Sequence, residues 1–186
     1  MTSTAFIEDS PANWDEPAIQ SLLDVAETSV KESIEELKIR GRSIRKKRSV
    51  GLIPKPGQEI PREILDEAVL RAQEVLDSTS VQNLPFCAFN GGRDVWVDVG
   101  NKRVGVHILS SYLGMSVKET LHIGDQFLNT GNDFAARDIC PCIWITCKFF
   151  YFITIEIKIT EAQLLFERLV LAIQLQRKRH IYSNQF

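Results

Sequence analysis

The sequence predicts an α/β protein: a parallel-sheet core with crossover helices, preceded by a small α/β module. Two observations predict this. Amphipathic helical stretches alternate with short apolar strands along most of the 186 residues. The apolar run Thr120–Ile123 then stops at Gly124-Asp125, which puts a carboxylate at the carboxyl end of a strand, where open α/β sheets receive ligands. At 44% hydrophobic and 25% charged residues, the composition is that of a chain able to bury a core. A net charge of −2 argues against general nucleic-acid binding. The first residues carry no basic-then-apolar signal pattern. The most apolar stretch, Cys142 to Ile159, is broken by Lys148, Glu156 and Lys158 and falls short of the roughly 20 residues a membrane helix needs. The expectation is a soluble cytoplasmic protein. Its four cysteines, Cys87, Cys140, Cys142 and Cys147, are read as free thiols, because Cys140-Pro-Cys142 is spaced too tightly for an easy disulfide and has no second pair for zinc.

The elements follow in order. Ile19, Leu22, Leu23, Ala26, Val30, Ile34 and Leu37 recur at helical spacing, so Asn13 to Leu37 is expected to be one helix, with Asp15 and Pro17 marking its start. The basic segment Arg40 to Arg48 comes next, then a strand Ser49–Ile53 and a turn Pro54–Gly57. Ile64, Leu65, Ala68, Ala72, Val75 and Leu76 share one face of a second helix, from about Pro61 to Asp77. These parts form the first module, expected over residues 1–83. From Leu84 onward the pattern changes. Phe86–Phe89 is a short apolar strand, and Asp94–Val99 alternates, with Val95, Val97 and Val99 on one side. A helix through Val104 to Leu113, the strand into Asp125, a short helix near Phe134–Arg137 and a strand Cys142–Thr146 complete a core expected over residues 84–146. Strand–helix–strand order implies parallel pairing through crossovers. Residues 147–186 are expected to be an atypical tail, with an amphipathic helix, Glu161 to Gln176, followed by a basic Arg177-Lys-Arg179.

Chemistry concentrates on Lys102, Asp125 and Asp133. A lysine neutralises phosphate as a compact point charge. An aspartate at a strand end suits Mg²⁺, which binds one or two protein carboxylates and keeps several waters. The metal then stabilises charge on a transferring phosphoryl group. Each residue also has a plainer reading. Lys102 fits a solvated turn, Asp133 a helix cap, and Asp94 a glycine-rich turn or a carboxylate that meets ribose hydroxyls or a base N–H. His122 reads as a satisfied core histidine and Phe134 as core. The run Arg40 to Arg48 reads as a solvated basic face, as a set of arginines that meet nucleotide phosphates, or as a nucleic-acid patch.

Lys102 followed by Gly124-Asp125 and Asn132-Asp133 resembles the later motifs of the haloacid dehalogenase-like phosphatases. The longer stretch Leu84 to Lys102, with Leu113-Gly114, Thr120-Leu-His-Ile-Gly-Asp-Gln-Phe127 and Gly131-Asn-Asp-Phe134, resembles the fungal and protist IMP-specific 5′-nucleotidases. Trp14 to Leu76 resembles the cap module of that family. The resemblance implies an incomplete Rossmann-like haloacid dehalogenase-type core with a three-layer parallel sheet, hydrolysis of IMP to inosine and phosphate, ATP as an activator and a homo-oligomer. By position it implies that Asp125 ligates Mg²⁺, Lys102 binds the 5′-phosphate, Asp94 contacts IMP and Asp133 supports the metal site. The family's Asp-x-Asp-x-Thr motif, which supplies the nucleophile, does not occur in this chain. The expectation is therefore a carboxyl-terminal portion of such an enzyme, with no catalytic nucleophile of its own and inactive alone, or else a non-catalytic nucleotide-binding or subunit-interaction fragment. The resemblance stops at Ile145-Thr146 and resumes near Thr160-Glu-Ala-Gln163. One codon choice for Cys147-Lys-Phe149, TGT-AAG-TTT, contains a splice-donor sequence, so Cys147–Ile159 is expected to be a retained intron. Sequencing of the mature transcript should join the codons of Thr146 and Thr160 directly, and a message that keeps the insert would overturn this.

Overall fold

Asp15 starts the first helix. Its carboxylate accepts a hydrogen bond from the Ala18 N–H at 3.2 Å, and Pro17 sits in the first turn, where a missing N–H costs nothing. Helix α1 spans Glu16–Glu36. In the computed structural model, residues 14–79 and 84–145 are described. They all belong to the first of two units into which the chain divides, Met1–Thr146. The expected insert Cys147–Ile159 and the tail helix lie outside the described residues.

After α1 come strands β1 (Gly41–Arg45) and β2 (Ser49–Pro54), helix α2 (Arg62–Ser78), and strands β3 (Phe86–Asn90) and β4 (Val95–Val99). The four strands form one sheet in the order β1-β2-β4-β3. Every pair in it is antiparallel, with Val50 opposite Val97 and Ala88 opposite Val97 on the other side. Strands from both sides of residue 84 thus share a sheet. The parallel pairing expected from Phe86 onward is corrected here, and the four-stranded sheet is not a three-layer parallel core. Only the short turn between Asn90 and Val95 joins β3 to β4. A parallel connection needs a dozen residues or more, so a turn this short permits only a hairpin.

Alternation decides the two faces. Val50 and Leu52 of β2 and Val95 and Val97 of β4 are fully buried against Ile19, Leu22 and Leu23 of α1 and Leu65 and Val69 of α2. Gly51, between the two buried β2 residues, turns to the opposite face, where the Trp96 ring lies across it; a Cβ there would meet the indole at 2.7 Å. Lys46 holds its ammonium 3.8 Å above the same ring centroid.

The basic run, to which the sequence assigned no element, carries a strand. Its first half is β1. Arg45 turns back onto α1, to Asp24 at 2.6 Å and Glu27 at 3.1 Å, and Arg48 reaches Glu16 at 2.8 Å. Two of the six basic side chains of the run, Arg45 and Arg48, are thus engaged by α1.

The chain then changes character. Helix α3 (Lys102–Tyr112) leads through a 3-10 turn, Val117–Glu119, into β5 (His122–Gly124), which pairs in parallel with β6 (Cys142–Trp144). The connection between them carries a 3-10 helix, Phe134–Asp138, and is long enough for the crossover that parallel pairing requires. This pair agrees with the parallel expectation. No described helix is long and apolar enough to cross a membrane.

Helix α1 ends in a Schellman arrangement. The Ile39 N–H donates to Ile34 O at 2.9 Å and the Lys38 N–H to Glu35 O at 3.2 Å. The residue in the left-handed position is Lys38, with φ 52°. A side chain there costs about 1–2 kcal/mol relative to the right-handed region, part of which glycine returns through its freer unfolded chain. Lys38→Gly is therefore expected to stabilise the fold by about 0.5–1 kcal/mol, read as a higher urea midpoint with an unchanged slope.

Candidate functional site

The site is built where the chain leaves the sheet. Gly100, at φ 93°, turns the backbone and donates its N–H to Pro85 O at 2.6 Å. A Cβ at this position would press on the Trp14 indole at 3.0 Å. Asn101 then caps α3 by accepting from the Val104 N–H at 3.2 Å. Lys102 is thereby the first residue of an 11-residue helix. Its ammonium stands at the end of the helix where free N–H groups and the dipole favour an anion.

Asp133 receives that ammonium. Its Oδ1 accepts from Lys102 Nζ in a short contact and from His122 Nε2 at 2.8 Å. Its Oδ2 accepts the backbone N–H groups of Asp125 and Gln126, each at 3.0 Å. Lys102 Nζ also donates to Asn132 Oδ1 at 3.2 Å. The Asp133 side chain is 1% exposed, whereas Lys102 is 41% exposed; the carboxylate is an interior fixture and the ammonium still faces solvent. Burial alone would raise the Asp133 carboxyl. Hydrogen bonds from Lys102, the Gln126 N–H and His122 outweigh it and hold the group below the ordinary aspartate range.

The two glycines of the motif leave room for this arrangement. A Cβ on Gly124 would collide with the Asp133 carboxylate, and one on Gly131 with the Gln126 carbonyl. Asp125 follows Gly124 at the carboxyl end of β5. Its N–H is held by Asp133, its carbonyl accepts from the Trp144 indole at 3.0 Å, and its side chain is exposed. Its carboxylate makes no hydrogen bond among the described residues, so it is free to meet a hard cation from solvent. Among the described residues no group of three or more histidine, cysteine, aspartate or glutamate side chains forms a metal cluster. Among the described residues the site presents one free carboxylate, which fits an ion that takes most of its oxygens from water and phosphate and does not fit a closed protein cage.

Of the four residues singled out from the sequence, the structure gathers three: Lys102 and Asp125 meet through Asp133. Asp133 precedes the 3-10 helix without a side-chain capping bond, so its carboxylate serves the site and not the helix. Asp94 stands apart in the β3–β4 turn, where its carbonyl accepts the Gly91 N–H at 2.8 Å and its carboxylate lies over Gly91. It makes no side-chain hydrogen bond to the other three. His122, expected as a satisfied core histidine, is 17% exposed at its side chain and finds its partner in Asp133, which brings it into the site. The sequence holds only a weak hint of this, a histidine two residues before Gly-Asp at a strand end. Asn132 was likewise visible only as part of a motif. Cys87, on β3, lies within electrostatic reach of Lys102 and Asp133. Burial and the nearby Asp98 and Asp133 charges, partly offset by Lys102, push its thiol up to about 11, which leaves it protonated and unfit as a nucleophile near neutral pH. Cys87, Cys140 and Cys142 are free thiols.

Residues 1–148 match the family described as IMP-specific 5′-nucleotidase. Among curated proteins, the IMP-specific 5′-nucleotidase 1 of Yarrowia lipolytica is 45% identical over 135 residues, covering 71% of this chain and 32% of that protein. The Plasmodium falciparum protein of the same name is 36% identical over 143 residues, 71% of this chain and 32% of its own length. The chain thus spans about a third of these relatives. An IMP-bound Plasmodium falciparum IMP-nucleotidase superposes with TM-score 0.67 and 39% identity over 71% of this chain and 35% of that one. An ATP-bound form superposes with TM-score 0.59 and 38% identity over 71% and 31%.

The Asp133 geometry has a consequence for acid stability. The folded carboxyl titrates below the unfolded value of about 3.9. Its contribution is fully present above that value and is lost as pH falls through the lowered folded one. Asp133→Asn should lose about 3 kcal/mol at neutral pH, the low end for a broken buried pair because Lys102 is partly exposed. The variant should also lack much of the wild type's decline below pH 4. Urea titrations of both proteins at pH 7 and pH 3 measure this, and parallel declines would count against the geometry.

Proposed function

The chain belongs to the IMP-specific 5′-nucleotidase family, and from that premise we propose that it carries the phosphate- and magnesium-binding half of a phosphomonoesterase site for IMP. One observation carries the reading: a single buried carboxylate, Asp133, ties the Lys102 ammonium to the loop that presents Asp125. Lys102 and the first N–H groups of α3 would receive the 5′-phosphate. Asp125 would hold Mg²⁺. When bound, that ion supplies positive charge to the phosphoryl oxygens. Asp133 keeps both groups in place and His122 fixes Asp133, as outer residues of metal sites do. Asp94 is assigned to the nucleoside end, toward ribose hydroxyls or a base N–H. An activating role for ATP, assembly with further copies and residence in the cytoplasm belong to the same reading; the ATP-bound relative supports the first of these.

Phosphate transfer also needs a nucleophile. Asp-x-Asp-x-Thr is absent from the sequence, and Cys87 is held protonated. We therefore assign binding, and not turnover, to this chain by itself. That absence is also the observation that favours the second reading, a non-catalytic nucleotide-binding fragment.

Calorimetry with IMP, with and without Mg²⁺, and an assay of phosphate release check both parts. The chain should bind IMP more tightly with Mg²⁺ and release no phosphate. Asp125→Asn should abolish the Mg²⁺ enhancement, and Lys102→Met should weaken IMP at least about tenfold, as expected for a lost charge-assisted contact. Phosphate release that vanishes in Asp125→Asn would overturn the assignment of binding alone. No IMP binding under any condition would overturn the nucleotide reading itself.

A further inference from the structure

The loop that carries Asp125 and Asp133 is gripped from inside by the Asp133 carboxylate. It is also gripped from outside, by the sheet and α2. Strand β3 is the sheet's edge, so its outward N–H groups have no strand partner. One of them finds a partner in the loop: the Asn90 N–H donates to Thr130 O at 2.8 Å. One side chain of α2 spans the same seam. The Gln73 amide donates to Asn129 O at 2.8 Å and to Ala88 O of β3 at 3.2 Å. Asn90 is itself fixed. Its amide nitrogen donates to Asp66 Oδ1 at 2.9 Å, and its carbonyl oxygen accepts the Gly92 N–H at 2.8 Å. Asn90 and Thr130 are each 7% exposed, so both sit where an unpaired polar group is costly.

These bonds form a chain of contacts. At one end is the turn 91–94, whose shape Asn90 sets and which carries Asp94. At the other is the loop 125–133. We propose that Gln73 and Asn90 are positioning residues, a clasp that sets the register between the Asp94 turn and the Asp125–Asp133 loop. On the function proposed above, that register is the distance between the group that meets the nucleoside and the groups that meet the phosphate. The clasp would then select for a whole nucleoside monophosphate over a bare phosphate. Neither side chain hydrogen-bonds Lys102, Asp125 or Asp133. Gln73 is only half-buried, so its removal leaves the α1–α2 core intact.

The test is Gln73→Met, which keeps length and loses both donors, on the full chain. Amide hydrogen exchange should quicken roughly fivefold in both 86–94 and 125–133, the size expected for a lost hydrogen bond. Exchange in 16–36 should not change, which also shows that the variant is folded. By calorimetry with Mg²⁺, the variant should bind IMP several-fold more weakly and inorganic phosphate as the wild type does. Unchanged exchange in 125–133 would overturn the clasp. Quickened exchange with equal losses for IMP and phosphate would overturn the register role and leave a merely structural brace. If wild type binds neither ligand, the nucleotide reading fails, and the exchange result still decides whether the clasp exists.

Discussion

A buried carboxylate with four donors is the constraint on which the rest of this site depends. Asp133 is sealed from solvent, and in that setting an unpaired charge is prohibitive. Two of its donors are backbone N–H groups that open a loop, one is a ring nitrogen on β5, and one is the ammonium that begins α3. A strand end, a loop and a helix start therefore assemble around one acceptor. The order of cause is physical: the carboxylate must be satisfied, and satisfying it puts Lys102 and Asp125 on the same side of the fold.

The division of labour follows from that constraint. Asp133 uses its lone pairs on the protein and is poorly placed to serve an ion as well. Asp125, its N–H and carbonyl both occupied, has only its carboxylate to offer. Lys102 gives part of its hydrogen-bonding capacity to Asp133 and Asn132 and keeps an exposed portion. Two aspartates eight residues apart thus face opposite ways, one turned inward as scaffold and one with its carboxylate turned to solvent. Loop geometry separates the two.

Much of this was legible in the sequence. The helices over Glu16–Glu36 and Arg62–Ser78 follow from apolar spacing that nothing interrupts, and β5 followed by Asp125 follows from an apolar run that ends at glycine. Three features were hidden, each for its own reason. β1 was masked because Arg42 and Arg45 give no apolar alternation; Arg45 is an inward-facing residue whose charge is met by α1. The antiparallel sheet was misread because alternating strands and helices say nothing of strand direction; only the short β3–β4 turn carries that information. The place of His122 was hidden because its partner is eleven residues away, and a half-buried histidine on a strand resembles any other.

The indole of Trp96 occupies the space that a side chain at Gly51 would need. The two positions lie on neighbouring strands, opposite each other in the ladder, and they behave as a single site for substitution. Any residue larger than glycine at 51 requires a smaller one at 96. Shrinking Trp96 alone would uncover the glycine backbone and release the Lys46 ammonium from its ring. Variation here should therefore be epistatic: single changes are harmful in either order, and a paired change is the tolerated route. Two residues 45 apart in the chain thus form one heritable unit.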